Sequence, residues 1–138
     1  MALGFAIAAL AAALLNDRRP LPLLRRTAAA FGTTALLRAV TSPVYQPAEA
    51  WPILNSYIAA YGLPALLLAA ASVILSRQGR DRSLSIMRAA AGLTAVVFLL
   101  YEIRHAFHGP DLRDNGRFGL GESGLYALCA LGAALALY

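Results

Sequence analysis

Three ionisable side chains stand within otherwise apolar stretches of the chain: Arg38, Glu102 and Arg104. Each such group costs roughly 2.5–3.5 kcal/mol in mid-hydrocarbon on insertion scales, so it faces a partner, a cavity or an interface. Glu102 and Arg104 are two residues apart, about 200° around a helix, and cannot neutralise one another directly. Glu102 can reach His105, three residues on, and Arg104 can reach His108, four residues on. Thr94, Phe98, Tyr101, His105 and His108 then share one helical face. Together with Arg38, Asn55, Tyr61 and Glu122 from neighbouring segments, Glu102, Arg104, His105 and His108 make a candidate polar cluster. Its chemistry would be proton handling by Glu102, His105 or His108, with an anion held by Arg38 and Arg104. The same residues also suit a boundary role, with arginine snorkelling and tyrosine and histidine wetting their tips. Glu122, in the first turn of its helix, is favoured there by the helix dipole alone.

Other chemistries lack their residues. A zinc-protease helix carries two histidines four apart, whereas His105 and His108 are three apart and the single cysteine, Cys129, lies in an apolar run; no metal is assigned. Gly119-Leu120-Gly121-Glu122-Ser123-Gly124 is glycine-rich but has neither the lysine nor the preceding strand of a phosphate cradle. No dinucleotide fingerprint or nucleophile elbow is present, so no cofactor and no catalytic residue is assigned, and enzymatic activity stays open. All 12 basic residues are arginine and the net charge is +5. These arginines sit between apolar runs without a basic helix face or an aromatic platform, so nucleic acid is not an expected partner.

The elements that position the cluster are helices. Only 14% of the 138 residues are charged and 59% are hydrophobic, against about 25% charged in an ordinary soluble domain. Five apolar segments stand out: Ala2–Leu15, Thr27–Val40, Ile53–Leu75, the stretch after Arg88 that continues to His105, and Ser123–Tyr138. The first is followed rather than preceded by arginines, unlike a cleaved secretory signal, and reads as a retained helix. The first two are short against the roughly 20 residues that span hydrocarbon. Ile53–Leu75 and Ala89–Leu100 are apolar on every side, whereas a soluble bundle shows a polar face on each helix. The expected fold is therefore an all-α, polytopic transmembrane bundle of about five spans, with the lipid bilayer as its first partner and other transmembrane helices or subunits as further ones.

Loop charge sets the orientation. Arg18, Arg19, Arg25 and Arg26 cluster in the first connection and Arg77, Arg80, Arg82 and Arg88 around the third, while Ser42–Pro52 has no basic residue. The positive-inside rule places loops 16–26 and 76–88 in the cytoplasm and the N-terminus, 42–52 and 105–122 outside. Trp51, Tyr45 and Tyr57 fit an outer aromatic belt. Helices in lipid associate through small residues. The spacing points to Gly4, Ala8 and Ala12 on the first helix, to Asn55, Ala59, Gly62, Ala69 and Ser72 on the third, and to Gly132 with Ala136 on the fifth. Pro64 cannot donate to the carbonyl of Ala60, so the third helix is expected to kink near Tyr61-Gly62-Leu63, with Gly62 and Pro64 as a hinge or as a kink held by a neighbour.

Asn55 with Tyr61-Gly62-Leu63-Pro64-Ala65, then Glu102-Ile103-Arg104-His105-Ala106-Phe107-His108-Gly109, then Glu122 before a last helix, resembles a segment of the bacterial predicted membrane proteins known as domain of unknown function 2339. The likeness covers about residues 50–138. Members of that family are much longer, with many spans, so the resemblance implies one helical domain over 1–138 that is a fragment or a short member, in a bacterial inner membrane. It carries no activity to transfer. The expected function is that of a structural or accessory envelope protein; the alternative is a transporter or membrane enzyme handling an envelope substrate at the outer polar cluster.

Overall fold

Proline, glycine and one aspartate set the helix boundaries. Pro22 opens α2 (Pro22–Thr41), where its fixed φ suits a first helical turn and its missing N–H costs no bond. Asp81 caps α4 (Arg82–His108) by accepting a hydrogen bond from the Leu84 N–H at 2.9 Å. Gly79, at φ +103°, turns the chain between α3 (Leu63–Ser76) and α4, a backbone angle that residues with a Cβ rarely adopt. The computed structural model describes residues 2–41, 56–108 and 119–137, with side chains as far as Gly132. All secondary structure among them is helical, and α1 (Ala2–Arg18) and α5 (Leu120–Leu137) complete it.

The helices are longer than the apolar stretches suggest because their charged end turns are helical too. Asn16 to Arg18 close α1, Arg25 and Arg26 belong to α2, and Arg82 and Arg88 belong to α4. Only residues 19–21 and 77–81 are left as the two connections at that end of the bundle. Likewise His105 and His108 end α4 and Glu122 starts α5, so both margins of the expected 105–122 loop are helix. Asn55, Tyr45, Trp51 and the 42–52 segment lie outside the described residues.

α1 packs on α2 and α3, and α4 packs on the same two, which places α1 to α4 around one core; α5 packs on α4. Two helical stretches, Ile58–Ser76 and Arg82–His108, are long and apolar enough to cross a membrane. By contrast α1 has 17 residues and α2 carries Arg25, Arg26 and Arg38.

Before Pro64 the chain widens into a π-helical turn, Ile58–Gly62, with the Leu63 N–H bonded to the carbonyl of Ile58. The missing donor at Pro64 is thus accommodated by a turn with one residue more than an α-turn, at the place where the proline predicts a kink. Gly62 is held to a hydrogen by its surroundings: a Cβ there would lie 3.0 Å from Ile58 Cγ1 and 3.4 Å from the Phe98 ring.

The core is built largely from alanine. Ala6, Ala9 and Ala13 of α1, Ala28 and Ala35 of α2, Ala71 of α3 and Ala90 of α4 are buried together with Leu68, Leu75 and Met87. Most other leucines point away: Leu23 is 71% exposed, Leu66 65% and Leu128 64%. The small-residue faces expected from spacing are used only in part: Ala12, Gly62 and Ser72 are buried. Gly4 and Gly132 have nothing near them, and Ala59 and Ala69 are exposed, while the buried row of α1 runs Ala6, Ala9, Ala13 and Asn16. In a chain so rich in alanine, small-residue spacing fits several faces of a helix at once and does not select one.

Tight alanine contacts tolerate no added volume. Ala9→Leu should lower the stability of the purified protein by about 1–3 kcal/mol through overpacking, read as a fall in melting temperature in detergent. Leu66→Ala, at an exposed position, should leave it nearly unchanged.

Candidate functional site

Polar side chains gather at both ends of the bundle. At the end where α4 stops and α5 starts, Glu122 is fully buried. Its Oε1 accepts a hydrogen bond from the Tyr126 hydroxyl at 2.9 Å, one helical turn on in α5, and lies 3.5 Å from Arg104 Nη1. Its Oε2 lies 3.7 Å from His108 Nδ1. That distance is too long for a hydrogen bond, and neither atom has a hydrogen-bond partner among the described residues. Arg104 and His108, four residues apart on α4, share a face and both turn to the carboxylate of α5. Arg104 and Tyr126 also line a cavity of about 300 Å³ walled by Ala39, Val40, Val97, Leu100 and Tyr101.

Beside this group lies an aromatic stack. The Tyr101 ring sits between Tyr57 and Tyr61, with centroids at 5.4 and 4.9 Å, and His105 meets Tyr57 edge-on at 6.0 Å. Tyr57, Tyr61 and His105 are buried. Tyr57 is therefore an interior residue and not part of a boundary belt. The π-turn carries it and Tyr61 onto the same side of the helix, against α4.

Of the residues singled out in the sequence, the structure brings Arg104, His108 and Glu122 together around one carboxylate, and Tyr61 and His105 into the neighbouring stack. Glu102 is half-buried on α4. Arg38 is exposed on α2 and joins no ion pair among the described residues. Its neighbour Ala39 takes the inward position against Tyr57 and Tyr61 instead. Asn55 lies outside the described residues. Tyr126 was not singled out, although its place four residues after Glu122 is the spacing at which two helical side chains meet.

The opposite end holds a denser polar junction, made from residues that the sequence placed only within the loops 16–26 and 76–88. Asn16, buried at the end of α1, donates through Nδ2 to the Gln78 side chain, and Gln78 Nε2 donates back to the Asn16 carbonyl at 2.8 Å. Asn16 Oδ1 also accepts from the Leu21 N–H at 3.2 Å. Arg25 of α2 grips Asp81 with two bonds, Nε to Oδ2 and Nη2 to Oδ1, both 2.8 Å. It donates further to the carbonyls of Leu75 at 3.3 Å and Gly79 at 3.2 Å. One guanidinium thus closes the carbonyl end of α3 and holds the residue that caps α4. The hydrogen bond from Arg25 holds the Asp81 carboxyl below the ordinary aspartate range, aided by the Leu84 N–H, and the same bond raises Arg25. Asp81, the only acid in an arginine-rich connection and three residues before the apolar Leu84, is the sequence signal that could have marked this junction.

Among the described residues no cluster of metal-ligating side chains occurs. The chain matches no described family, no curated protein and no solved structure.

Because the folded Asp81 titrates lower than the unfolded one, its contribution is complete above the ordinary value of 3.8 and is lost as pH falls through the lower, folded value. Asp81→Asn keeps the cap and removes the charge, and should cost up to about 1 kcal/mol at neutral pH. Asp81→Ala should cost about 1 kcal/mol more through the lost cap. In thermal melts in detergent, the gap between wild type and Asp81→Asn should close as pH is lowered below 3.8.

Proposed function

We propose that the chain is a multi-pass protein of the bacterial inner membrane, with a structural or accessory role in the envelope. The observation that carries this reading is the inverted distribution of volume, with alanine predominant at the helix contacts and most leucines on the outside. Water would drive leucine inward, whereas hydrocarbon is indifferent to it and leaves close packing of small residues to hold helices together. The two stretches long and apolar enough to cross a bilayer, Ile58–Ser76 and Arg82–His108, support it. We extend this to about five spans, with α1, α2 and α5 crossing alongside them. Loops 16–26 and 76–88 then face the cytoplasm, where the arginines of the Asn16 end belong. The N-terminus and segments 42–52 and 105–122 face outward. The bilayer is the main partner, together with other transmembrane helices or subunits. The resemblance to the domain of unknown function 2339 proteins is kept as part of this proposal.

In this reading the two polar ends join helices. The Asn16 end ties α1 to α4 together, and Glu122 ties α5 to α4. A specific feature favours a second reading, in which the outer cluster handles an envelope substrate in a transporter or membrane enzyme. Glu122 Oε2 and His108 Nδ1 are buried 3.7 Å apart with no hydrogen bond among the described residues, and a buried group without one costs about 1–3 kcal/mol. A purely structural cluster gains nothing from that cost.

Three measurements follow. The purified chain should need an amphiphile to stay monodisperse, and a monodisperse species in plain buffer would overturn the membrane assignment. A cysteine introduced as Arg80→Cys, in a Cys129→Ala background, should react with an impermeant maleimide only after the cytoplasmic face is opened; labelling of intact spheroplasts would reverse the topology. Arg104→Ala should reduce the folded yield in detergent, with a cost of about 3 kcal/mol, because it strands a buried carboxylate. Arg104→Ala with Glu122→Gln should recover most of it. Normal folding of Arg104→Ala, coupled to loss of ligand binding or of a phenotype, would instead favour the substrate-handling reading.

A further inference from the structure

The Asn16 end of the bundle holds an open cleft of about 410 Å³, lined by Asn16, by residues 20–21 of the first connection, by Pro22, Arg25 and Arg26 of α2, and by residues 78–81 with Ser83. That volume lies within the range of small-ligand sites. Its floor is already satisfied. Arg25 is consumed by its fork with Asp81 and by two carbonyls, and Asn16 and Gln78 bond each other. Asp81 is equally occupied, since one oxygen is shared between Arg25 and the Leu84 N–H and the other is held by Arg25. Arg25 and Asp81 therefore cancel within the floor. Arg26 and Arg80 remain as two cations on the walls, exposed and in no ion pair among the described residues. An exposed arginine supplies a planar fork of donors suited to the oxygens of a phosphate. Two of them approach from different segments, one from α2 and one from the connection after α3.

We propose that this cleft binds a phosphate-bearing anion, with Arg26 and Arg80 as the residues that grip it. The phosphate chemistry stands apart from the membrane reading. The lipid form of the ligand, an anionic phospholipid headgroup of the adjoining leaflet, rests on that reading, since only then does this end of the bundle lie at headgroup level. The cleft also differs from general attraction between a basic surface and anions, because Arg18 and Arg19 carry the same charge at the same end of the bundle and do not line it.

The test uses the full chain in a neutral detergent, with bound lipid counted by native mass spectrometry after addition of phosphatidylglycerol or phosphatidylcholine. Inorganic phosphate and glycerol phosphate are titrated in parallel and followed by the melting temperature. Phosphatidylglycerol should be retained in preference to phosphatidylcholine. Arg26→Gln and Arg80→Gln should each weaken binding about fivefold, and together about 30-fold. The matched double variant Arg18→Gln with Arg19→Gln should weaken it by less than about threefold. Neither Arg26 nor Arg80 takes part in the floor, so the melting temperature without ligand should be unchanged. Binding of the soluble phosphates alone, with the same dependence on Arg26 and Arg80, supports the site and makes its ligand a soluble phosphate. Equal loss in the two double variants, or no preference for any phosphate-bearing anion over chloride and phosphatidylcholine, overturns it.

Discussion

Helices that meet through methyl groups must run close together, and this closeness constrains everything else in the molecule. Where Ala9, Ala28, Ala35, Ala71 and Ala90 are buried together, the polar side chains that fit are small ones such as Thr94 and Ser72, which bond the carbonyls of their own helix. Larger hydrogen-bonding side chains are therefore displaced to the ends, where the helices have free backbone carbonyls and N–H groups to satisfy. Dispersion across a dense interface and polar junctions at its margins suit a surrounding medium that gives leucine no reason to turn inward.

The two margins solve that problem differently. At the Asn16 end Asn16, Gln78, Arg25 and Asp81 all have partners, and a single arginine joins α2, the end of α3 and the start of α4. The connections are short, so the bonds from Arg25 fix the relative height of three helices with little backbone to flex. At the Glu122 end a fully buried carboxylate is met by three side chains, yet two facing atoms make no hydrogen bond among the described residues. Among the described residues the major contacts of α5 are with α4, which leaves its docking dependent on a single charged residue.

The helical class and the segments that carry it were legible in the sequence because uncharged runs leave few alternatives. Their ends were less so. Arg25, Arg26, Arg82 and Arg88 look like loop residues beside such runs, but a charged side chain on a terminal helical turn reaches water without ending the helix. Packing faces were not legible, since alanine occurs at nearly every phase of α1. Within the candidate site, Arg104 and His108 could be paired by spacing, and Glu122 by its place at a helix start, because these are local relations. The role of Arg25 was hidden, as it depends on α2 and the turn after α3 being brought together by tertiary packing, which leaves no periodic trace. Tyr57 was misplaced for a related reason: an aromatic ring near a helix end is as suited to a boundary as to an interior stack, and only the partner Tyr101 decides between them.

The widened turn at Ile58–Gly62 has a geometric effect beyond accommodating Pro64. Tyr57, Tyr61 and Ala65 succeed one another at intervals of four, and all three are buried. In a regular α-helix two such intervals would rotate the third residue by about 80° from the first. A π-turn holds more residues per revolution, so the angular drift is smaller and the aromatic pair stays in line with the alanine and leucine positions below it. The proline region thus acts as a phase corrector: it lets one continuous helix present tyrosines in its upper third and small residues in its lower part to the same neighbour.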